Sequence, residues 1–173
     1  MSDERTFVIR RSLVVPMGLL VVLTFALLVV CLLQGQALAK VIILAGLILL
    51  LTVLFTECAL RRLVVDLDGV TAIRVFRQRR LSFADVTSLE TVRVRNRVFM
   101  TLAAGDDDFL IISNSYGDFP ALLTLLIKGV PAGAVTEETA QLAQKPPIRQ
   151  ADVYTAWFAV AALVYVLIAQ FRN

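Results

Sequence analysis

The stretch Ile73 to Phe83, "IRVFRQRRLSF", sets Arg74, Arg77, Arg79 and Arg80 among strand-forming apolar residues. Guanidinium groups suit phosphate, which they grip through paired N–H donors held in a planar fork. A second set, Arg93, Arg95 and Arg97, alternates with Val92 and Val94, so it stands on one side of a strand and its following turn. The chemistry expected of Arg77, Arg79, Arg80, Arg93, Arg95 and Arg97 is contact with anionic lipid headgroups or with a partner protein. The competing explanation is a positive charge bias that keeps the outer face of a strand in water. Nucleic acid is not expected, since no series of aromatic side chains for base stacking is interleaved with these arginines.

The remaining polar residues offer little else. The chain has no histidine, which removes the usual general base and the commonest metal ligand. Asp106, Asp107 and Asp108 are adjacent carboxylates without the spacing of a calcium loop, so they read as a solvated turn. Asp66 and Asp68 read as another turn. Glu57 lies near the end of an apolar run, where a carboxylate can be functional, but Arg61 four and Arg62 five residues on favour an interfacial ion pair. No phosphate loop, paired-cysteine motif or serine with a histidine partner is present. Cys31 and Cys58 both sit in apolar runs expected near opposite membrane faces, too far apart for a disulfide. The expectation is a protein without enzymatic activity, metal or cofactor.

The elements that must position these residues are dominated by apolar segments. The chain is 58% hydrophobic over 173 residues, with a mean hydropathy of +0.80, well above the apolar share of soluble domains. Leu13 to Leu33 carries no charge, and Val41 to Ala59 carries only Glu57. Both are long enough to cross a bilayer as helices, and the short link "QGQALAK" makes them a hairpin. A signal peptide is the competing reading of the first run, because Ala37-Leu38-Ala39 resembles a cleavage site. The run is longer than a signal core, however, and a second span follows. Tyr154 to Phe171 is a third span with Tyr154, Trp157 and Phe158 as interfacial anchors. Arg5, Arg10, Arg11, Arg61, Arg62, Lys145 and Arg149 flank one side and Lys40 and Arg172 the other, which predicts a cytoplasmic N-terminus and middle segment and a C-terminus outside.

The middle segment has strand periodicity. Strands are expected at Arg62 to Leu67 and Val70 to Phe76, joined at Asp68-Gly69, a dipeptide suited to turns with positive φ. "RQRR" then reads as a second turn and "LSF" as a short strand. "TSLETVRVRNRVFMTLAA" alternates like a half-solvated antiparallel strand, and "FLIIS" follows the turn at Gly105. "DFPALLTLLIKG" reads as a helix, with Asp118 as N-cap, Pro120 in its first turn and Lys128-Gly129 at its end. A short helix is expected at Glu137 to Gln144 in the polar linker that follows. Nine arginines against four acids give Leu60 to Met100 a net charge of +5; three basic and seven acidic residues give Thr101 to Asp152 −4. A domain so polarised can be drawn to anionic lipid by its basic half.

Strands first and helix last imply an α+β layout. "LVVDLDGVTAIRVFRQRRLSFADVTSLETVRV", followed by "LAAGDDDFLIISNSYGDFPALLTLL", resembles the bacterial pleckstrin-homology-like (PH-like) domains of small membrane proteins. The resemblance covers about Leu60 to Pro131 and implies a bent, seven-stranded antiparallel sheet capped by a C-terminal helix. The organisation expected is an N-terminal arm and transmembrane hairpin at 1–59, the PH-like domain at 60–131, a linker at 132–152 and a third transmembrane helix at 153–173. The function expected is non-enzymatic: a multi-pass protein of the bacterial cytoplasmic membrane whose PH-like domain mediates protein interaction or assembly, with a protein partner or homo-oligomer. The alternative is binding of anionic membrane lipids by its basic face.

Overall fold

The computed structural model describes residues 4–94, 97–105, 108–144 and 151–172. The chain divides into two units: residues up to Arg10 together with Leu60–Arg149, and Arg11–Ala59 together with Gln150–Asn173.

The second unit is helical. α1 spans Arg11–Leu33, α2 Leu38–Leu60 and α5 Ala151–Arg172, each 22 or 23 residues. At about 1.5 Å per residue each exceeds the roughly 30 Å of a bilayer's hydrocarbon. The three are long and apolar enough to cross a membrane, the architecture of a membrane protein. The Gln34 side-chain amide donates to the Gln170 carbonyl at 2.9 Å, so α1 and α5 end side by side and run parallel. A Cβ on Gly18 would stand 3.1 Å from the Phe55 ring, which brings the start of α1 against the end of α2. Thr24, Leu27 and Cys31 of α1 are buried in this unit, whereas α2 buries no residue. Cys31 and Cys58 form no disulfide with each other.

The first unit is α+β. Its strands are β1 (Arg5–Val8), β2 (Arg62–Val65), β3 (Gly69–Ile73), β4 (Gln78–Ser82), β5 (Ser88–Val94), β6 (Arg97–Ala104) and β7 (Asp108–Ser113). They form two antiparallel meanders, β1-β2-β3-β4 and β5-β6-β7, rather than one continuous bent sheet. Leu63, Val70, Leu81, Leu89, Val98, Met100, Leu102 and Ile112 supply the core between them. α3 (Phe119–Gly129) lays Phe119, Leu122, Leu123 and Leu126 on that core, the spacing of one helix face. α4 covers Glu137–Gln144, the bounds expected of the short linker helix.

Several local expectations are corrected. The N-terminal arm is a strand: β1 pairs with β2 from Arg5↔Val65 to Val8↔Arg62, burying Phe7. The helical hairpin α1–α2 is therefore inserted between two paired strands, upstream of the domain bounds drawn from sequence. The β2–β3 connection turns on Leu67-Asp68, where the Asp66 carboxylate accepts from the Asp68 and Gly69 amides. Gly69 does not have the positive φ expected of it; it is required because a Cβ there would collide with the Leu81 carbonyl oxygen. The next turn is Arg74 to Arg77, closed by the Arg74 amide donating to the Arg77 carbonyl at 2.9 Å. "RQRR" lies largely within β4 instead, because pairing Ala72 with Arg79 and Val70 with Leu81 keeps Leu81 in the core. Asp118 stands at the start of α3 in a left-handed conformation and makes no side-chain cap.

The linker after α3 also has a place. Val135 bridges in parallel to Leu89, covering the edge of β5. The Thr136 and Thr139 hydroxyls both donate to the Leu89 carbonyl at 3.2 Å. Thr139 also lies 2.7 Å from the Thr91 hydroxyl, and both threonines are buried. An exposed strand edge invites foreign pairing, and here the chain's own threonines and α4 close it.

Candidate functional site

β4 and β7 face each other without a ladder, and the gap is a cleft of about 230 Å³. Arg74, Arg77 and Arg79 line one wall; Phe109, Leu110 and Ile111 of β7 line the other. The three arginines converge because the 74–77 turn ends β3 while the alternation of β4 sends Arg79, like Leu81, inward.

Arg79 is committed within the protein. Its guanidinium donates to the Asp108 carboxylate at 3.0 Å and to the Phe109 carbonyl at 3.1 Å, and it stands over the Phe109 ring at 5.8 Å. One side chain thus spans the gap that backbone bonds leave open. Its neighbour Arg80 points to the opposite face, pairing with Asp66 at 3.0 Å. Among the described residues Arg74 and Arg77 have no carboxylate partner, and both are exposed. An anion entering the cleft would therefore meet two available guanidinium groups above an apolar floor.

The six arginines expected to act are thus divided. Arg77 and Arg79 share the cleft, Arg80 does not, and Arg93 lines a separate groove with Thr91, Glu138 and Gln141 beside α4. Arg97 pairs in register with Val94 at the far end of β6. Arg95 lies outside the described residues, as do Asp106 and Asp107. Arg74 and Phe109 are additions to the expected set; the period of the sequence could mark their strands, but not that these two elements meet.

A second pair of arginines, Arg10 and Arg61, is half-buried around Tyr116. Arg61, for which helical spacing predicts Glu57 as partner, has its guanidinium 5.8 Å from the centre of the Tyr116 ring. Tyr116 is buried, and its carbonyl accepts from the Arg10 side chain at 3.2 Å. Burial pushes the Tyr116 phenol above its ordinary value, against the charge and hydrogen bond of Arg61 and the charge of Arg74, which pull it down.

Among the described residues no group of three histidines, cysteines or carboxylates is placed to hold a metal ion. The chain matches no family model, no curated protein and no solved structure.

Proposed function

We propose that the chain is a non-enzymatic integral membrane protein whose PH-like domain docks a protein partner, or a second copy of the chain, at the membrane. The observation that carries this reading is the outer face of β5-β6-β7. Val92 and Val94, expected on one face of a half-solvated strand, lie on its open side and are 55% and 54% exposed. The register sets Phe99 beside Val92, and Ile111 and Phe109 complete the same side. Burying a side chain of this size is worth roughly 1.5–3 kcal/mol, so covering this band would favour association. Four strands, then three, then a closing helix support the resemblance to bacterial PH-like domains, which implies the cytoplasmic membrane of a bacterium with this domain inside.

The test is crosslinking of the full chain purified in mild detergent. Crosslinks mapping to β5 and β7, lost on Val92→Glu, are expected. A strictly monomeric, partner-free species would overturn the reading.

Arg74 and Arg77 favour a second reading, in which the cleft holds the phosphate of an anionic lipid. Because β1 precedes the helices, the segment from Leu60 onward lacks a strand of its own sheet, so the full chain must be tested. In nanodiscs of mixed phosphatidylcholine and phosphatidylglycerol, it should retain phosphatidylglycerol through delipidation, and R74Q/R77Q should lose that preference. Equal retention of both lipids would overturn it.

A further inference from the structure

Phe76, at the centre of the 74–77 turn, is 94% exposed and sits between two exposed arginines. A lone exposed aromatic needs no explanation, but the position of this one is set by the strand register. Val8, Arg62, Ile73 and Gln78 align in one row across β1 to β4. From Val8 the chain passes through Ile9 and Arg10 into α1, and from α2 it returns through Arg61 to Arg62. The strand ends tied covalently to two membrane-crossing helices thus belong to the same end of the sheet as the turn that carries Phe76. The β2–β3 turn, with Leu67 74% exposed between Asp66 and Asp68, is at the other end.

The two tips differ in charge as well as place. The end tethered to the helices presents arginine, phenylalanine and arginine; the far end presents a leucine between two carboxylates. Cations with an aromatic ring suit the boundary between phosphates and acyl chains, whereas carboxylates are repelled by an anionic surface.

We propose that the 74–77 turn rests in the headgroup layer of the bilayer that the helices cross, with the Phe76 ring below the phosphates and the Arg74 and Arg77 guanidinium groups bound to them. The occupant of this surface is lipid. The inference rests on the lipid reading of the cleft and extends it, since charge in the cleft alone would not require the ring to enter the bilayer. Such a contact would hold the cleft at headgroup level.

The experiment uses the full chain in vesicles containing phosphatidylglycerol. Trp157 is the only tryptophan, so Trp157→Phe provides a silent background for Phe76→Trp and, as control, Leu67→Trp. Lipids brominated near the headgroup should quench the tryptophan at 76 at least about twofold more than the one at 67, with a blue-shifted emission. Adding R74Q/R77Q should reduce that quenching. Equal, water-like emission from both positions overturns the proposal, as does a blue shift at 76 without lipid quenching, which would place the ring against protein. Quenching that survives R74Q/R77Q unchanged supports insertion of the ring and overturns the phosphate contacts. Retained phosphatidylglycerol in the nanodisc assay without quenching at 76 overturns this inference alone.

Discussion

Val8 faces Arg62 across the first two strands, and between them in the chain lie both helices of the hairpin. Two antiparallel strands are ordinarily joined by a tight turn; here the connection is long enough to cross a membrane and return. The sheet cannot be completed until the connection has brought Arg62 back beside Val8. Sheet and hairpin are thus coupled through the chain, because β1 and β2 can pair only when the segment between them brings its two ends together.

The coupling makes the N-terminal arm part of the core. Phe7→Ala removes a buried ring from β1 and should cost about 3 kcal/mol. Hydrogen exchange in β2 and β3 would then speed up by about 100-fold where it proceeds through unfolding of the domain. Unchanged protection would mean that the arm contributes nothing to the fold.

Hydroxyl groups help to hold the linker at β5, beside the buried Ala134. Thr139→Val keeps the side-chain shape but leaves Leu89 without one donor and Thr91 without its hydroxyl partner. The expected cost is about 1–2 kcal/mol, and limited proteolysis should cut residues 132–144 sooner than in the parent protein. An identical digestion course would count against the threonine contacts as a lock.

Gly129 ends α3 against an aromatic ring. A Cβ there would lie 2.6 Å from the Phe83 ring, so Gly129→Ala must displace the ring or the helix end. A loss of roughly 1–3 kcal/mol follows, measured by chemical denaturation, and Phe83→Leu in the same chain should recover part of it. Lack of any destabilisation would show that helix and ring do not meet.

Tyr116 sets an alkaline limit. Its folded pKa is raised by burial above the ordinary value of 10.0, so the stability from keeping it neutral is complete below that value. The unfolded chain ionises first as the pH passes about 10, and this stability is lost up to the raised folded value. Tyr116→Phe should flatten the fall of the melting temperature in that range; an unaltered slope would refute it.

The arginine segment shows how far periodicity reads. Apolar residues on either side of it marked β3 and β4, yet the turn is "RVFR" and not "RQRR". The second tetrad reads as the turn in the sequence, whereas the register was decided by Leu81, whose place in the core turns Arg79 to the cleft and Arg80 to the opposite face. Likewise Val92 and Val94 do share a face, but Leu89 and Thr91 on the other side are the buried pair. Alternation says which residues stand together and leaves open which side is covered.

Local signals were enough for the helices. Long apolar runs set α1, α2 and α5 to within a few residues, and Pro120, the leucine spacing and Gly129 bounded α3. These properties belong to a continuous stretch of chain, so the sequence alone carries them. Only the tertiary structure decided that Arg5–Val8 is a strand, that Arg79 reaches Asp108 across an open seam, and that Thr139 meets Thr91 at the edge of β5. Each joins residues far apart in sequence through unsatisfied backbone or side-chain groups, and which partner satisfies a group depends on what the fold brings within about 3 Å.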